Sequence, residues 1–228
     1  MENVIETKDL RKTFGEGELA VHALDGLSMS IEKGEFTALV GPSGSGKTTL
    51  LNLIGGLDTP TSGEVILNGQ DISQIKKSEM TNFRQDNIGF VFQAYNLIPV
   101  LSAYENAEFI MMLQGVAEKE RKERVYKLLK EVGLEGKEDN RPGELSGGQQ
   151  QRVAVVRALA AQPAYILADE PTANLDSKST SDLLDLMYRL NQEENMTFVF
   201  ATHDQRVIDR AKRVITIDDG KIISDERA

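Results

Sequence analysis

The stretch from Gly41 to Thr48 has the composition and spacing of a phosphate-binding loop. It matches the pattern G-x-x-x-x-G-K-[ST] at every fixed position, reading Gly41-Pro42-Ser43-Gly44-Ser45-Gly46-Lys47-Thr48. Glycines allow a tight turn that brings backbone N–H groups against a polyphosphate, and the helix that follows directs its positive end to the same place. Lys47 adds a positive charge for the β- and γ-phosphates, and the Thr48 hydroxyl can bind Mg²⁺. These residues predict a nucleotide site, but kinases and GTPases share the motif, so it does not identify the reaction.

Two consecutive carboxylates, Asp169 and Glu170, follow the apolar run from Tyr165 to Ala168. In nucleotide hydrolases with a phosphate loop, an aspartate at such a strand end supports the Mg²⁺ ion. A second carboxylate beside it can take the proton of the attacking water as a general base. An isolated Asp-Glu pair would rather indicate the start of a helix, and the upstream phosphate loop is what favours the catalytic interpretation.

A second group of glycines opens a predicted helix after Pro142, in the sequence Leu145-Ser146-Gly147-Gly148-Gln149. Bare backbone N–H groups at a helix start can bind an anion, although the loop at 41–48 already provides one such site. A serine that merely caps the helix explains the pentapeptide equally well. Taken alone, these five residues leave both interpretations open.

The elements that position these residues alternate between strands and helices. Apolar runs bounded by turn residues predict strands at 27–31, 36–40, 64–67, 88–92, 165–168 and 197–201, and a closing hairpin of 213–217 with 221–223. Helices are predicted at 46–54, 147–161 and 177–191, and helical apolar spacing between 103 and 132 predicts a helical insertion. Such alternation indicates an α/β domain with a mainly parallel sheet.

Composition limits the partners that we expect. The chain has 228 residues, no cysteine and a formal net charge of −10, which disfavours binding to nucleic acid or to anionic lipid. No apolar run approaches the roughly 20 residues that cross a bilayer, and the start lacks the features of a signal peptide. We therefore expect a soluble protein with no direct membrane insertion, whose membrane role, if it has one, requires a partner.

Taken together, the motifs resemble those of an ATP-binding-cassette (ABC) ATPase. The phosphate loop at 41–48, the Leu-Ser-Gly-Gly-Gln signature at 145–149, the strand that ends in Asp169-Glu170, and His203 within Thr202-His203-Asp204 occur in the family's order and spacing over essentially the whole chain. The resemblance implies a P-loop NTPase core, an N-terminal antiparallel β subdomain and an inserted helical subdomain. It implies one ABC ATPase domain over 1–228, with the helical subdomain at about 95–160 carrying the signature.

The resemblance also assigns roles to individual residues. It implies catalytic roles for Glu170, His203, Gln93 and Lys47, and Mg²⁺ binding by Thr48 and Gln93. It places ATP against Phe14, Gln93, Asp169 and the loop residues Gly41, Pro42, Ser43, Gly44, Ser45, Gly46, Lys47, Thr48 and Thr49. A second subunit would contribute to the same nucleotide through Ser146, Gly147, Gly148, Gln149 and Asp176. By itself Phe14 would pass for a core residue, Gln93 for a solvated polar residue and His203 for a packed or solvated histidine, the interpretation that we keep for His22.

The implied function is ATP hydrolysis with Mg²⁺, in a homodimer that closes head to tail around two nucleotides. The implied partner is an integral membrane permease subunit, which would hold the chain at the cytoplasmic face of the inner or plasma membrane. Several stretches, including 89–93, 96–99, 145–153 and 169–172, resemble the lipoprotein-releasing (LolD) and macrolide-export (MacB) branch. That branch implies export or the extrusion of a lipoprotein or peptide, and no appended regulatory domain is expected.

An alternative function is a soluble ABC ATPase that acts on DNA or chromosomes. Such proteins insert long coiled coils between the phosphate loop and the signature, whereas here about 100 residues separate Lys47 from Ser146 and no sustained heptads occur. The acidic charge also disfavours this alternative. A small-molecule kinase would lack the signature and His203.

The apolar stretch after Gln93, from Ala94 to Leu101, contains a proline that interrupts helical structure. One hypothesis is that it lines a groove for a short cytoplasmic helix of the membrane subunit, with Leu97 and Val100 in contact with that helix. The other is that these residues only pack the helical subdomain against the core. The sequence supports the two equally.

Overall fold

A computed structural model describes residues 2–227, apart from the side chains of Glu18 and Lys77. The strands are β1 (Asn3–Phe14), β2 (Val21–Glu32), β3 (Phe36–Val40), β4 (Ser62–Leu67), β5 (Gln70–Asp71), β6 (Ile88–Phe92), β7 (Tyr165–Asp169), β8 (Thr197–Ala201), β9 (Arg213–Asp218) and β10 (Lys221–Arg227). The helices are α1 (Lys47–Ile54), α2 (Lys77–Asn87), α3 (Ala103–Leu113), α4 (Glu118–Glu131), α5 (Gly147–Ala160), α6 (Ser177–Glu194) and α7 (Gln205–Ile208).

Six strands form a sheet in the order β10-β9-β3-β8-β7-β6. All neighbouring pairs are parallel except β9 with β10, which form the predicted hairpin. The carboxyl ends of β3, β6, β7 and β8 therefore meet at one edge of the sheet. A second sheet, in the order β2-β1-β4-β5, is antiparallel throughout. This architecture confirms the predicted α/β fold with a mainly parallel sheet and an N-terminal antiparallel sheet.

The side chains of the central strands alternate between two apolar layers, one on each face of the parallel sheet. Phe198 and Phe200 point into one layer with Phe36, whose ring centroid lies 5.6 Å and 4.6 Å from theirs. Val199 and Ala201 point into the other layer, which also contains the buried leucines of α1. Because both faces are covered, these strands are apolar at most positions, which explains the nearly continuous apolar runs of the sequence.

Helices α3, α4 and α5 pack against one another within the first apolar layer. Met111 of α3, Leu129 of α4 and Val153 of α5 are fully buried there. Ser102 begins α3 with a capping box: its hydroxyl accepts a bond from the Glu105 N–H at 3.2 Å, and its own N–H donates to the Glu105 carboxylate at 2.7 Å. The chain between β6 and β7 therefore forms a packed unit of three helices.

Most of the predicted elements occur at their predicted positions, and β3, β6 and β8 have the predicted bounds. Strands β1 and β5 and helices α2 and α7 were not predicted. The sequence of α2 is polar with little apolar periodicity, and α7 has only four residues. Within residues 2–227, none of the helices combines the length and apolar character that a bilayer crossing requires.

Candidate active site

The phosphate loop joins the end of β3 to the start of α1, and its shape requires glycine at two positions. Gly41 has φ of 149°, and a Cβ atom there would lie 2.0 Å from the Ile217 carbonyl oxygen. Gly46, which begins α1, has φ of 104°, and a Cβ atom there would lie 2.5 Å from the Ala23 carbonyl oxygen. Any larger residue would displace the neighbouring strands, so the loop can lie this close to the sheet only with glycine at these positions.

The side chain of Lys47 folds back over the phosphate loop. Its ammonium donates hydrogen bonds to the carbonyl oxygens of Gly41 at 2.8 Å and Pro42 at 2.9 Å. The first turn of α1 contains no acidic residue. The positive end of the helix and the Lys47 charge therefore act on the same space, which suits a bound polyphosphate.

Asp169 ends β7 next to the start of α1. Thr48 Oγ1 donates to Asp169 Oδ1 at 3.2 Å. Burial raises the pKa of Asp169 and the nearby Glu170 charge adds to this effect, while the Thr48 hydrogen bond and the Lys47 charge oppose it. The result is a partly desolvated carboxylate beside a hydroxyl, an arrangement that a cation would stabilise.

Glu170 follows directly and is fixed by two residues from the end of β8. Its oxygen Oε1 lies 2.7 Å from His203 Nδ1, and its other oxygen accepts a bond from Thr202 Oγ1 at 3.1 Å. The backbone of Glu170 has φ of 45°, and its N–H donates to the Ala201 carbonyl at 2.9 Å. A non-glycine residue whose backbone lies in the left-handed region is uncommon and strained, so the surrounding hydrogen bonds must maintain this conformation.

Gln93 follows β6 and is exposed. Its carbonyl oxygen accepts a bond from Asn174 Nδ2 at 3.0 Å, which ties the end of β6 to the segment after Glu170. Strand register explains its position, because Phe92 pairs with Asp169, and Asp169 pairs with Ala201. The next residues along these strands, Gln93, Glu170 and Thr202, are consequently neighbours.

These residues line one cleft of about 580 Å³. Its walls are the loop at 41–49, Gln93, Asp169, Glu170 and His203. The structure thus brings together every predicted catalytic residue and the predicted nucleotide-binding residues other than Phe14. Phe14 and the residues predicted to act from a second subunit do not line this cleft.

Oxygen atoms dominate the places where the cleft could hold a cation. Within the described residues there is no cluster of three or more histidine, cysteine, aspartate or glutamate side chains suited to a metal. Thr48 and Asp169 offer neighbouring oxygens, and Gln93 lines the same cleft. Mg²⁺ is usually bound by a small number of protein oxygens together with the phosphates of a substrate, so these residues fit that ion.

The signature residues start α5, away from the cleft. Ser146 caps the helix: its hydroxyl accepts from the Gln149 N–H at 3.3 Å, and its N–H donates to the Gln149 side chain at 2.9 Å. A Cβ atom on Gly147 would lie 2.7 Å from the Tyr95 hydroxyl, and one on Gly148 would lie 2.8 Å from Ser179 Oγ. Helix capping is therefore present, and close packing explains the glycines within this chain.

Asp176 and Phe14 are both exposed. Asp176 caps α6, where its carboxylate accepts bonds from the Ser179 N–H at 2.9 Å and Ser179 hydroxyl at 2.8 Å. Phe14 ends β1 with 46% of its surface exposed, and the Lys12 ammonium lies 5.0 Å from its ring centroid. An exposed aromatic face is available for stacking, but these contacts alone do not assign a ligand to it.

Two polar residues near the site were not predicted. Gln151 of α5 is fully buried, and its amide nitrogen donates a hydrogen bond at 2.7 Å to the carbonyl oxygen of Pro171, the residue that follows Glu170. Arg157, also on α5, donates to the carbonyl oxygens of Tyr95 at 3.0 Å and Asn96 at 2.6 Å. The only available signal was that both lie on a predicted helix that otherwise presents apolar residues to the core.

The stretch after Gln93 divides between the two hypotheses made for it. Leu97 packs against the apolar layer around α3 and α5, as the core-packing hypothesis predicts, whereas Val100 is 71% exposed. Ile98 lines a groove of about 330 Å³ between β6, α3 and α5, together with the apolar side chains of Ile88, Phe90, Phe92, Phe109 and Ile110. We call this surface the apolar groove. For Leu97 the core-packing hypothesis is favoured, because its partly buried side chain packs against that layer and does not line the apolar groove.

The profile of the ABC transporter family matches residues 24–173 of this chain. The chain is 50% identical over 222 residues to a macrolide export ATP-binding/permease protein MacB of Hyphomonas neptunium, covering 97% of this chain but 34% of that protein. The chain thus spans about a third of the MacB relatives that it matches. It is 46% identical to an uncharacterized ABC transporter ATP-binding protein of Thermotoga maritima, covering 100% of this chain and 97% of the relative.

Solved structures agree with these relatives. The dimeric structure of the ATP-binding cassette MJ0796, in a post-hydrolysis state bound to ADP and Pi, has a TM-score of 0.91 and 43% identity, covering 98% of both chains. CbiO1 of Clostridium perfringens, part of the ABC transporter complex cbiONQ, has a TM-score of 0.89 and 30% identity, covering 100% of this chain and 89% of that one. The phosphate loop, the paired carboxylates and these similarities lead to one conclusion: the chain belongs to the ABC transporter family and is an ATPase of the cassette type.

Proposed function

We propose that this chain dimerises head to tail around two Mg-ATP molecules and powers a separate transmembrane subunit. The observation that carries the proposal is the meeting of three groups at one sheet edge: the phosphate loop, the Thr48–Asp169 pair and the Glu170–His203 pair. The start of α5 at Ser146 lies outside that cleft, which leaves it available to a nucleotide held by another subunit.

In this proposal the cleft holds the nucleotide through its phosphates. The backbone N–H groups of the loop at 41–49 and the Lys47 ammonium bind the phosphate oxygens. Thr48, Asp169 and Gln93 hold Mg²⁺, which when bound neutralises phosphate charge and orients the γ-phosphate. The exposed face of Phe14 stacks on the adenine ring.

Hydrolysis requires a base positioned for the attacking water. Glu170 takes a proton from the water while the water oxygen forms a bond to the γ-phosphorus. The bond between that phosphorus and the oxygen that bridges it to the β-phosphate breaks, and ADP and phosphate are released. His203 and Thr202 bind the two carboxylate oxygens and so fix the direction of the base. His203, with 78% of its side chain exposed, reaches the γ-phosphate from the same position.

The second subunit completes each site. Ser146, Gly147, Gly148 and Gln149 present the start of α5 to the γ-phosphate of the partner's nucleotide, and Asp176 contacts the partner nearby. Support comes from the dimeric state of the similar cassette MJ0796.

The substitution Glu170→Gln tests the catalytic part of the proposal. It removes the base but keeps the shape, so we expect ATP binding to persist while turnover falls about 10²–10⁴-fold. Phosphate release and equilibrium binding of ATP measure the two effects, and size-exclusion chromatography should show a dimer trapped by nucleotide. Glu226→Gln, on an exposed edge strand, is the control that should keep normal turnover. Near-normal turnover in Glu170→Gln would exclude Glu170 as the base.

The membrane partner is an integral permease subunit, which holds the chain at the cytoplasmic face of the inner or plasma membrane. The MacB relatives combine an ATP-binding part with a permease in their names, and this chain covers about a third of their length. This supports a permease that is separate from the residues described, and the names favour export. The extrusion of a lipoprotein or peptide is supported by the resemblance of stretches such as 96–99 and 145–153 to the LolD branch. The apolar groove, close to Gln93, is the surface that receives a short cytoplasmic helix of the permease.

A further inference from the structure

Arg157 is a largely buried cation without an acidic partner among the described residues. Its guanidinium donates to the backbone carbonyls of Tyr95 and Asn96, and it forms no ion pair in residues 2–227. Burial lowers the pKa of Arg157, and no nearby carboxylate counters this effect. A buried charge normally lies beside an opposite charge, because removal from water is otherwise costly.

Other buried arginines of this chain follow that rule. Each of five has 28% or less of its side chain exposed and lies within 3.0 Å of a carboxylate: Arg121, Arg124, Arg152, Arg210 and Arg213. Acidic groups are abundant, since the net charge is −10. Arg84 also lacks a carboxylate among its described bonds, but it does not line the apolar groove, whereas Arg157 does.

The groove around Arg157 is otherwise almost entirely apolar. Phe90 and Phe92 stack along one wall with ring centroids 5.5 Å apart, and Phe109 and Ile110 of α3 form the other. Leu113 follows Phe109 by four residues and Ile110 by three, so it lies on the same face of α3. Its side chain is 53% exposed and extends this apolar surface. An occupant of matching chemistry has apolar side chains and one negative charge.

We propose that the permease helix received by the apolar groove carries a carboxylate that pairs with Arg157. This inference rests on the docking proposed above and specifies its chemistry. A guanidinium has five N–H donors in a planar fork, so a carboxylate can bind it while at least one backbone carbonyl stays bonded. Because Tyr95 and Asn96 follow Gln93 closely, the pair joins the docked helix to the segment that enters the ATP site.

A display library of short amphipathic helices provides the test. Positions on one face vary among Leu, Phe, Met, Gln, Glu and Lys, and binders are selected on the full chain. The same library is also selected on the Phe109→Glu variant, which places a charge in the groove wall. Helices that bind this variant as well as the wild type bind outside the groove and are discarded. We expect the groove-dependent helices to share apolar residues and one recurrent glutamate.

The charge pair is then measured with one selected helix and its Glu-to-Gln counterpart. On the wild-type chain the Gln helix should bind about tenfold more weakly, because close charge pairs at interfaces couple by at least that much. On Arg157→Met both helices should bind alike, and on Arg157→Lys a reduced preference for Glu should remain. Arg189→Met, on the exposed side of α6, should behave as wild type. Thermal unfolding checks that each variant is folded, and the wild-type comparison stands even if Arg157→Met is unstable.

Two outcomes would contradict this inference in different ways. Groove-dependent helices without a recurrent acidic residue would overturn the charge pair while leaving helix docking intact. A selection with no helix that depends on the groove would overturn the docking itself, and the charge pair with it.

Discussion

At the scale of single residues, the polar groups behind the cleft form a connected set. Thr202 Oγ1 donates to Glu170 and accepts a bond from the Asp204 N–H at 3.0 Å. Asp204 in turn accepts bonds from Arg206 Nη2 at 2.7 Å and from Thr172 Oγ1 at 2.8 Å. These residues lie behind the cleft, so they can be altered to measure how strongly the set stabilises the fold.

The pair of Asp204 with Arg206 predicts a pH-dependent stability. The Arg206 hydrogen bonds, with that of Thr172, lower the pKa of Asp204 from its usual 3.8 to about 2, against the opposing effect of burial. A lowered pKa means that the folded state favours the ionised form, so the stabilisation is complete above pH 4 and disappears as pH falls towards 2. Arg206 is 42% exposed, so solvent screening limits this stabilisation to about 1 kcal/mol.

Urea unfolding of the wild type and Asp204→Asn over a pH series measures this stabilisation. We expect the free energies of unfolding to differ at pH 7 and the difference to shrink steadily between pH 4 and pH 2, because Asp204 becomes neutral in the folded state only near its pKa of about 2. Glu64→Gln removes an exposed pair with Lys8 and should change stability little at any pH. A difference for Asp204→Asn that stays constant with pH would contradict the prediction.

At the scale of elements, strand register determines which side chains can meet. Asp169 on β7 pairs with Phe92 on β6 and with Ala201 on β8. A slip of one residue would turn Asp169 into an apolar layer and place Ala168 at the site. The two apolar layers prevent such a slip, so burial of the strands is what keeps the predicted catalytic side chains in place.

Helix starts separate capping from function at this scale. Ser102 and Ser146 both form capping boxes, on α3 and α5 respectively. Replacement of either by alanine should cost about 1 kcal/mol of stability, because one helix N–H loses its acceptor. If Ser146 also acts on the partner's nucleotide, only Ser146→Ala should reduce ATP turnover at saturating ATP. Denaturant unfolding and phosphate release measure the two effects, and an equal loss of turnover in both variants would leave capping as the sole role.

At the scale of the whole molecule, the two groups of residues that are predicted to bind nucleotide lie in different places. The cleft at the sheet edge contains the loop at 41–49 and the paired carboxylates, but not the helix start at Ser146. Such a separation suits a symmetric dimer in which each subunit supplies half of every site. A defect in each half can then be combined in one dimer to test the arrangement.

Mixing Lys47→Ala protein with Ser146→Arg protein should restore activity that neither has alone. In the mixed dimer one site carries both changes and the other carries none. Random pairing makes half of the dimers mixed, so up to about a quarter of wild-type turnover should return. The matched control mixes Lys47→Ala with Glu170→Gln, whose changes fall in separate sites, and should restore nothing. Absence of recovery in the first mixture would indicate sites built within one chain.

Local sequence was sufficient wherever the physical cause is local. The runs that form β3, β6 and β8 are mostly apolar and are bounded by turn residues, so their positions follow from a few neighbouring residues. Helix α2 escaped prediction because its one-sided contacts with the sheet leave most of its residues polar. The two hypotheses for Leu97 stayed equal at the level of sequence, because composition alone does not reveal which apolar side chain packs inward.

The sequence by itself determined that a nucleotide site is expected, since the residue types and spacing of 41–48 match a phosphate-binding loop at every fixed position and give the carboxylates at 169–170 a catalytic interpretation. Only the tertiary structure decided which groups meet. Thr48 bonds to Asp169 across 121 positions, Glu170 to His203 across 33, and Arg157 to Tyr95 across 62. No local pattern encodes such contacts, because they depend on the order and register of strands in the sheet, which the packing of both apolar layers determines.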